Sequence, residues 1–142
     1  MSNFEVPVGA IKEEPKILAQ LKDEIGKIVD KADAENPGYS PEKRLGLVRT
    51  MIEEARLKRG ERKEIQELFD ARAVEIWLQD VARVRDKEEA PNPGYKPRMR
   101  LEFVKTLFME FPFYDDANRE AVHRAIIDRE IELESLEAQG KG

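Results

Sequence analysis

The single histidine of this sequence, His123, stands three positions after Glu120. On a helix that spacing puts both side chains on one face. Carboxylate-bridged di-iron bundles use it, but they need two such pairs and two further glutamates. One histidine cannot complete the set except in a symmetric dimer, so the expectation is a solvent-facing His123 and no metal site. Three serines (Ser2, Ser40, Ser135), two threonines and one histidine offer no nucleophile, base and orienting group in combination. There is no cysteine to act as nucleophile, zinc ligand or disulfide partner. Gly60 and the two Pro-Gly steps are isolated, so no phosphate-cradling loop is present. No catalytic residue and no cofactor is expected.

Three other groups could carry recognition. The first is basic. Arg56, Lys58, Arg59, Arg62 and Lys63 fall within eight residues against one glutamate, and Lys96, Arg98 and Arg100 follow later. Such clusters complement helix ends, or they contact RNA, DNA or an acidic protein surface. The chain carries 25 Lys+Arg against 30 Asp+Glu, a net charge of −5. A protein that coats nucleic acid by neutralising phosphates is therefore disfavoured, and nucleic acid remains the alternative partner.

The second group is a repeated corner. Asn36-Pro37-Gly38-Tyr39-Ser40-Pro41 returns 56 residues later as Asn92-Pro93-Gly94-Tyr95-Lys96-Pro97. Between Asp30–Glu54 and Asp86–Glu110, 13 of 25 positions are identical. Pro-Gly suits a type II turn, Ser40 a helix N-cap and Pro41 the first helical position. Tyr39 with Arg44, and Tyr95 with Arg100, have the spacing of a helix-entry staple. A guanidinium stacked on each tyrosine would contribute about 0.5–1 kcal/mol. The corner reads first as a folding device and second as a recognition spot.

The third group emerges where the copies differ. Met99 replaces Lys43, Met109 replaces Glu53, Phe111 replaces Ala55, and Phe113 replaces Leu57, with Tyr114 following. A Met and aromatic patch is adaptable and suits protein binding. Met99, Met109, Phe111, Phe113 and Tyr114 are the expected contacts, with another protein or a second copy of this chain as partner.

Helical periodicity supplies the elements that must hold these groups. A first helix from about Pro15 buries Ile17, Leu18, Leu21, Ile25, Ile28, Val29 and Ala32. A second from Pro41 buries Leu45, Leu47, Val48, Met51, Ile52 and Ala55, with Arg56, Lys58 and Arg59 near its end and Gly60 as terminator. A third over 61–86 buries Ile65, Leu68, Phe69, Ala73, Ile76, Trp77, Val81 and Val84. A fourth from Pro97 to Phe111 turns Leu101, Phe103, Val104, Leu107 and Phe108 inward. A fifth, capped by Asp115 or Asp116, runs to about Glu137 with looser spacing (Val122, Ile126, Ile127, Ile131, Leu133, Leu136). Positions 45/101, 47/103, 48/104, 51/107 and 52/108 are apolar in both copies and read as shared core.

The expected architecture is all-α. It is a five-helix bundle of two duplicated helix–corner–helix units (about 15–60 and 61–112) plus a closing helix at about 116–138. Residues 1–14 read as an extended arm, with Phe4, Val6 and Val8 in alternation, and 139–142 as a disordered tail. No apolar run reaches the roughly 18–20 residues of a membrane span, and the N-terminus lacks a signal-peptide layout. The reading is a cytoplasmic, non-catalytic adaptor or regulator. Its alternative is an accessory subunit docking on a nucleic-acid-processing machine through its basic clusters.

Overall fold

The computed structural model describes residues 15–29, 38–84 and 94–140. The arm over 1–14, the Asn-Pro half of each corner, Ala32 and the last two residues lie outside the described residues. Five helices pack together and no strand occurs among the described residues. They are α1 (Lys16–Gly26), α2 (Pro41–Glu54), α3 (Arg59–Ala82), α4 (Pro97–Met109) and α5 (Asp116–Ala138).

Each helix start has a chemical cause. Ser40 Oγ accepts the Lys43 N–H at 3.3 Å, and Pro41 opens α2 with its ring preset for helical φ. Pro97 opens α4 in the same way, although Lys96 before it provides no side-chain cap. The Lys58 N–H donates to Glu61 Oε1 at 2.9 Å at the start of α3. Asp115 accepts the Ala117 N–H at 3.0 Å and so caps α5.

Helix ends are closed mainly by arginines arriving from later helices. Arg62 of α3 donates to the carbonyls of Ile52 (3.0 Å) and Ala55 (2.7 Å), which satisfies the end of α2. Arg119 of α5 donates likewise to the carbonyl of Phe111, just past α4. Arg72 of α3 donates to the Ile28 carbonyl at 2.5 Å, beyond α1, and Arg129 of α5 to the Val84 carbonyl at 2.5 Å, beyond α3. The expected terminator Gly60 instead lies inside the first turn of α3, and α2 stops at Glu54. Ala55 turns to extended backbone there, and Leu57 packs against the core.

Helix α3 touches every other helix. With α1 and α2 it forms one group in which all three pairs are packed, and with α4 and α5 a second such group. The core is continuous through both groups: Leu18, Leu21 and Ile25; Leu45, Val48 and Ile52; Ile65, Phe69, Ala73, Ile76, Trp77 and Val81; Leu101, Val104 and Phe108; Val122, Ile126 and Leu133. Each large side chain contributes about 1.5–3 kcal/mol on burial. Aromatic rings gather at the centre, with Trp77 edge-on to Phe108 and Phe111, and Phe69 stacked on Phe111.

Several side chains read as inward are not. Leu47 and Met51 on α2, and Phe103 and Leu107 on α4, are exposed, as are Ile17, Val29, Leu68, Ile127 and Ile131. The reason is angular. At 3.6 residues per turn, Leu47 lies about 160° round the helix from Leu45, and Phe103 stands in the same relation to Leu101. The buried stripes are narrower than the apolar content of these helices.

Candidate protein-binding surface

Helix α4 carries four large exposed apolar side chains. Met99 is 66% exposed, Phe103 53%, Leu107 46% and Met109 57%. Met99, Phe103 and Leu107 follow at intervals of four and form one row. Met109 stands on the opposite flank, in line with Arg98 and Lys105. That flank faces α5: Arg98 pairs with Glu137 at 3.0 Å and Glu134 at 3.4 Å, and Lys105 with Glu130 at 3.3 Å. The Arg98 guanidinium is held more firmly protonated than usual, chiefly by its hydrogen bond to Glu137. On α2, the exposed Leu47 and Met51 occupy the positions 56 residues before Phe103 and Leu107.

The remaining members of the expected patch face inward to different degrees. Phe111 is buried among Phe69, Trp77 and Phe113. Phe113 is half-buried against Phe108 and Phe111. Tyr114, also half-buried, is clamped between helices. Its ring meets Phe69 edge-on, Arg49 lies over it at 3.8 Å, and its hydroxyl donates to Glu53 Oε2 at 2.6 Å. Burial, followed by the Glu53 hydrogen bond, pushes the Tyr114 phenol well above its ordinary pKa. Met99 and Met109 therefore present themselves to solvent, and Phe111, Phe113 and Tyr114 tie the α4–α5 connection to α2 and α3.

The corner residues take partners other than those expected. Tyr39 hydroxyl accepts the Val29 N–H at 3.3 Å, closing the end of α1. Arg44 pairs with Glu24 of α1 at 2.6 Å rather than stacking on Tyr39, because the carboxylate is the stronger partner. Arg100 lies over the Phe103 ring at 5.5 Å rather than over Tyr95. In the first basic cluster Arg56, Lys58, Arg59 and Lys63 are exposed, and Arg62 is committed to the end of α2. In the second, Lys96 and Arg100 are exposed and Arg98 is ion-paired.

His123 is half-buried with its ring 6.1 Å from that of Phe108, not solvent-facing as expected. Among the described residues no cluster of three His, Cys, Asp or Glu could hold a metal ion, and no helix is long and apolar enough to cross a membrane.

One residue escaped the sequence reading. Asp70 is 1% exposed, and its carboxylate accepts from the Tyr114 N–H (3.0 Å), the Asp115 N–H (2.8 Å) and Asn118 Nδ2 (2.9 Å). It borders an open groove of about 590 Å³ shared with Lys63, Glu67, Asp116 and Asn118. Its hydrogen bonds go to the α4–α5 connection and to the first turn of α5, which it holds against α3. A lone carboxylate directly beside Phe69 in an inward stripe was the available signal.

Comparison with protein-family models, with curated proteins and with solved structures found no match.

Proposed function

We propose that this protein is a non-catalytic adaptor or regulator that binds another protein, or itself, through the exposed Met and aromatic side chains of α4. The observation that carries this reading is the exposure of Met99, Phe103, Leu107 and Met109 on one 13-residue helix. Patches of that kind mark interaction sites on soluble domains, and methionine adapts to varied partner surfaces. The basic clusters support a nucleic-acid role less, since Arg62 and Arg98 are engaged within the chain.

The scaffold beneath this surface is, in the same reading, a tandem duplication joined by Asn-Pro-Gly-Tyr corners. The 56-residue spacing of the buried residues Pro41, Leu45, Val48 and Ile52 to Pro97, Leu101, Val104 and Phe108 supports it. A 57-residue spacing relates Arg62 to Arg119 and Arg72 to Arg129, each pair closing equivalent helix ends. The extra residue in that spacing falls in the α4–α5 connection (110–115), which is two residues longer than the α2–α3 connection (55–58) because α4 also ends one position earlier than its counterpart.

The test is a triple substitution, Met99→Gln, Phe103→Gln and Met109→Gln. Association, with itself or with a captured partner, is expected to disappear while the thermal midpoint stays close to that of the parent. Association retained at unchanged stability would remove α4 as the interface.

A further inference from the structure

Along one face of α4 and its flanks stand Lys96, Met99, Phe103, Leu107 and Glu110, spaced three, four, four and three residues apart. All five are exposed. At 3.6 residues per turn they fall within an arc of about 80°. The spacing is the same read in either direction, but the charges are opposite at the two ends: a cation at the N-terminal end, an anion at the C-terminal end. Neither Lys96 nor Glu110 pairs with another side chain among the described residues, whereas Arg98 and Lys105 on the α5 flank are both ion-paired.

Such a row is complementary to an antiparallel copy of itself. We propose that a second copy of this chain docks here, α4 against α4, with Phe103 at a two-fold axis. This rests on the reading of α4 as the protein-binding surface and names its occupant. In that arrangement Met99 faces Leu107 of the second copy and Lys96 faces its Glu110, and each contact occurs twice, as a self-complementary interface requires. The antiparallel helix dipoles also attract.

A depression of about 460 Å³ bordered by Tyr95, Lys96, Met99, Arg100 and Phe103 lies at the N-terminal end of the row. It receives Leu107 of the second copy and brings Glu110 of that copy beside Lys96 and Arg100. The corner residues Tyr95 and Arg100 thus form the walls of the receiving site.

The corresponding face of α2 is not self-complementary. Ser40, Lys43, Leu47, Met51 and Glu54 have the same spacing, but Lys43 puts a cation where α4 has Met99. Antiparallel pairing there would set a lysine against Met51 and leave Glu54 opposite an uncharged serine. The Lys-to-Met difference between the copies assigns self-docking to α4. One helix of about 20 Å per side falls short of a standard interface, so the dimer is reversible and concentration-dependent.

Sedimentation equilibrium of the full chain tests this. A monomer–dimer equilibrium is expected. Lys96→Glu and Glu110→Lys should each weaken it about tenfold, and the double charge swap should restore it. Phe103→Glu, with helix content unchanged by circular dichroism, should abolish it. Because the chain has no cysteine, a mixture of Met99→Cys and Leu107→Cys chains should cross-link through a short bis-maleimide, and Met99→Cys chains alone should not. Dimers indifferent to the charge swap overturn the proposal. A monomer at every concentration also overturns it, yet leaves α4 as the site for a different protein. If Phe103→Glu also spares binding of a captured partner, the adaptor reading falls with it.

Discussion

The guanidinium of Arg49 lies 3.8 Å from the ring centroid of Tyr114 and donates to the Pro112 carbonyl at 2.5 Å. Both contacts link α2 to the segment that follows α4, so α2 is tied to the end of α4 through a tyrosine. The Tyr114 hydroxyl completes the link by donating to Glu53.

The alkaline stability of the protein should report this link. Burial and the Glu53 hydrogen bond raise the Tyr114 pKa above its ordinary 10.0. The folded chain then keeps the phenolic proton at pH values where the unfolded chain has released it. By linkage, the stability from this group is fully present below pH 10 and declines as pH rises through the folded pKa. In urea unfolding, Tyr114→Phe should therefore show a shallower decline above pH 10 than the parent; equal slopes would contradict the assignment.

Asp70 should be the costliest polar residue to remove. Asp70→Ala leaves the N–H groups of Tyr114 and Asp115 and the Asn118 amide without their acceptor. The expected loss is about 2–4 kcal/mol, from three donors left without their buried acceptor. A thermal midpoint equal to the parent's would mean that the carboxylate does not hold the α4–α5 connection.

Arg72 and Arg129 make equivalent contacts, so their removal should have equivalent effects. Replacement by methionine keeps the apolar stem and deletes the donor. Each substitution should cost about 1–2 kcal/mol, since each leaves a helix-end carbonyl unsatisfied. The two should add within about 0.5 kcal/mol, because they close different helices. Strong coupling in the double variant would argue against two separate closures.

Exposed and buried apolar positions on α2 and α4 should separate cleanly in chemical denaturation. Leu45→Ala and Leu101→Ala should cost about 2–5 kcal/mol each. Leu47→Gln and Phe103→Gln should stay within about 0.5 kcal/mol of the parent when measured at concentrations that favour the monomer. A core-sized loss at either of the latter positions would return them to the interior.

Four of the five helix starts were legible because their proline, serine and aspartate signals are local; α3, which begins at Arg59 after Lys58, has none. The core face of α2 and α4 was legible only in part. Leu47, Met51, Phe103 and Leu107 are apolar in both copies, and apolarity was read as burial without resolving their angle round the helix. Phe111 and Tyr114 were misassigned for a different reason: their environment depends on Phe69, Trp77, Arg49 and Glu53, all more than 30 positions away in sequence. Arg62 and Arg119 illustrate the same limit. Their sequence context suggests a basic surface, and only the returning helix reveals that their donors close the helix before.

Helix α3 is a shared wall, and this bears on how the protein unfolds. A string of separable repeats can fray from either end, each unit keeping its own core. Here Ile65 and Phe69 in one half of α3, and Trp77 and Val81 in the other, belong to a single continuous core. Removing either outer pair of helices strips one side of α3 and exposes rings that the remaining group cannot cover. The molecule should therefore lose its structure in a single transition, with the backbone of α3 the last to open.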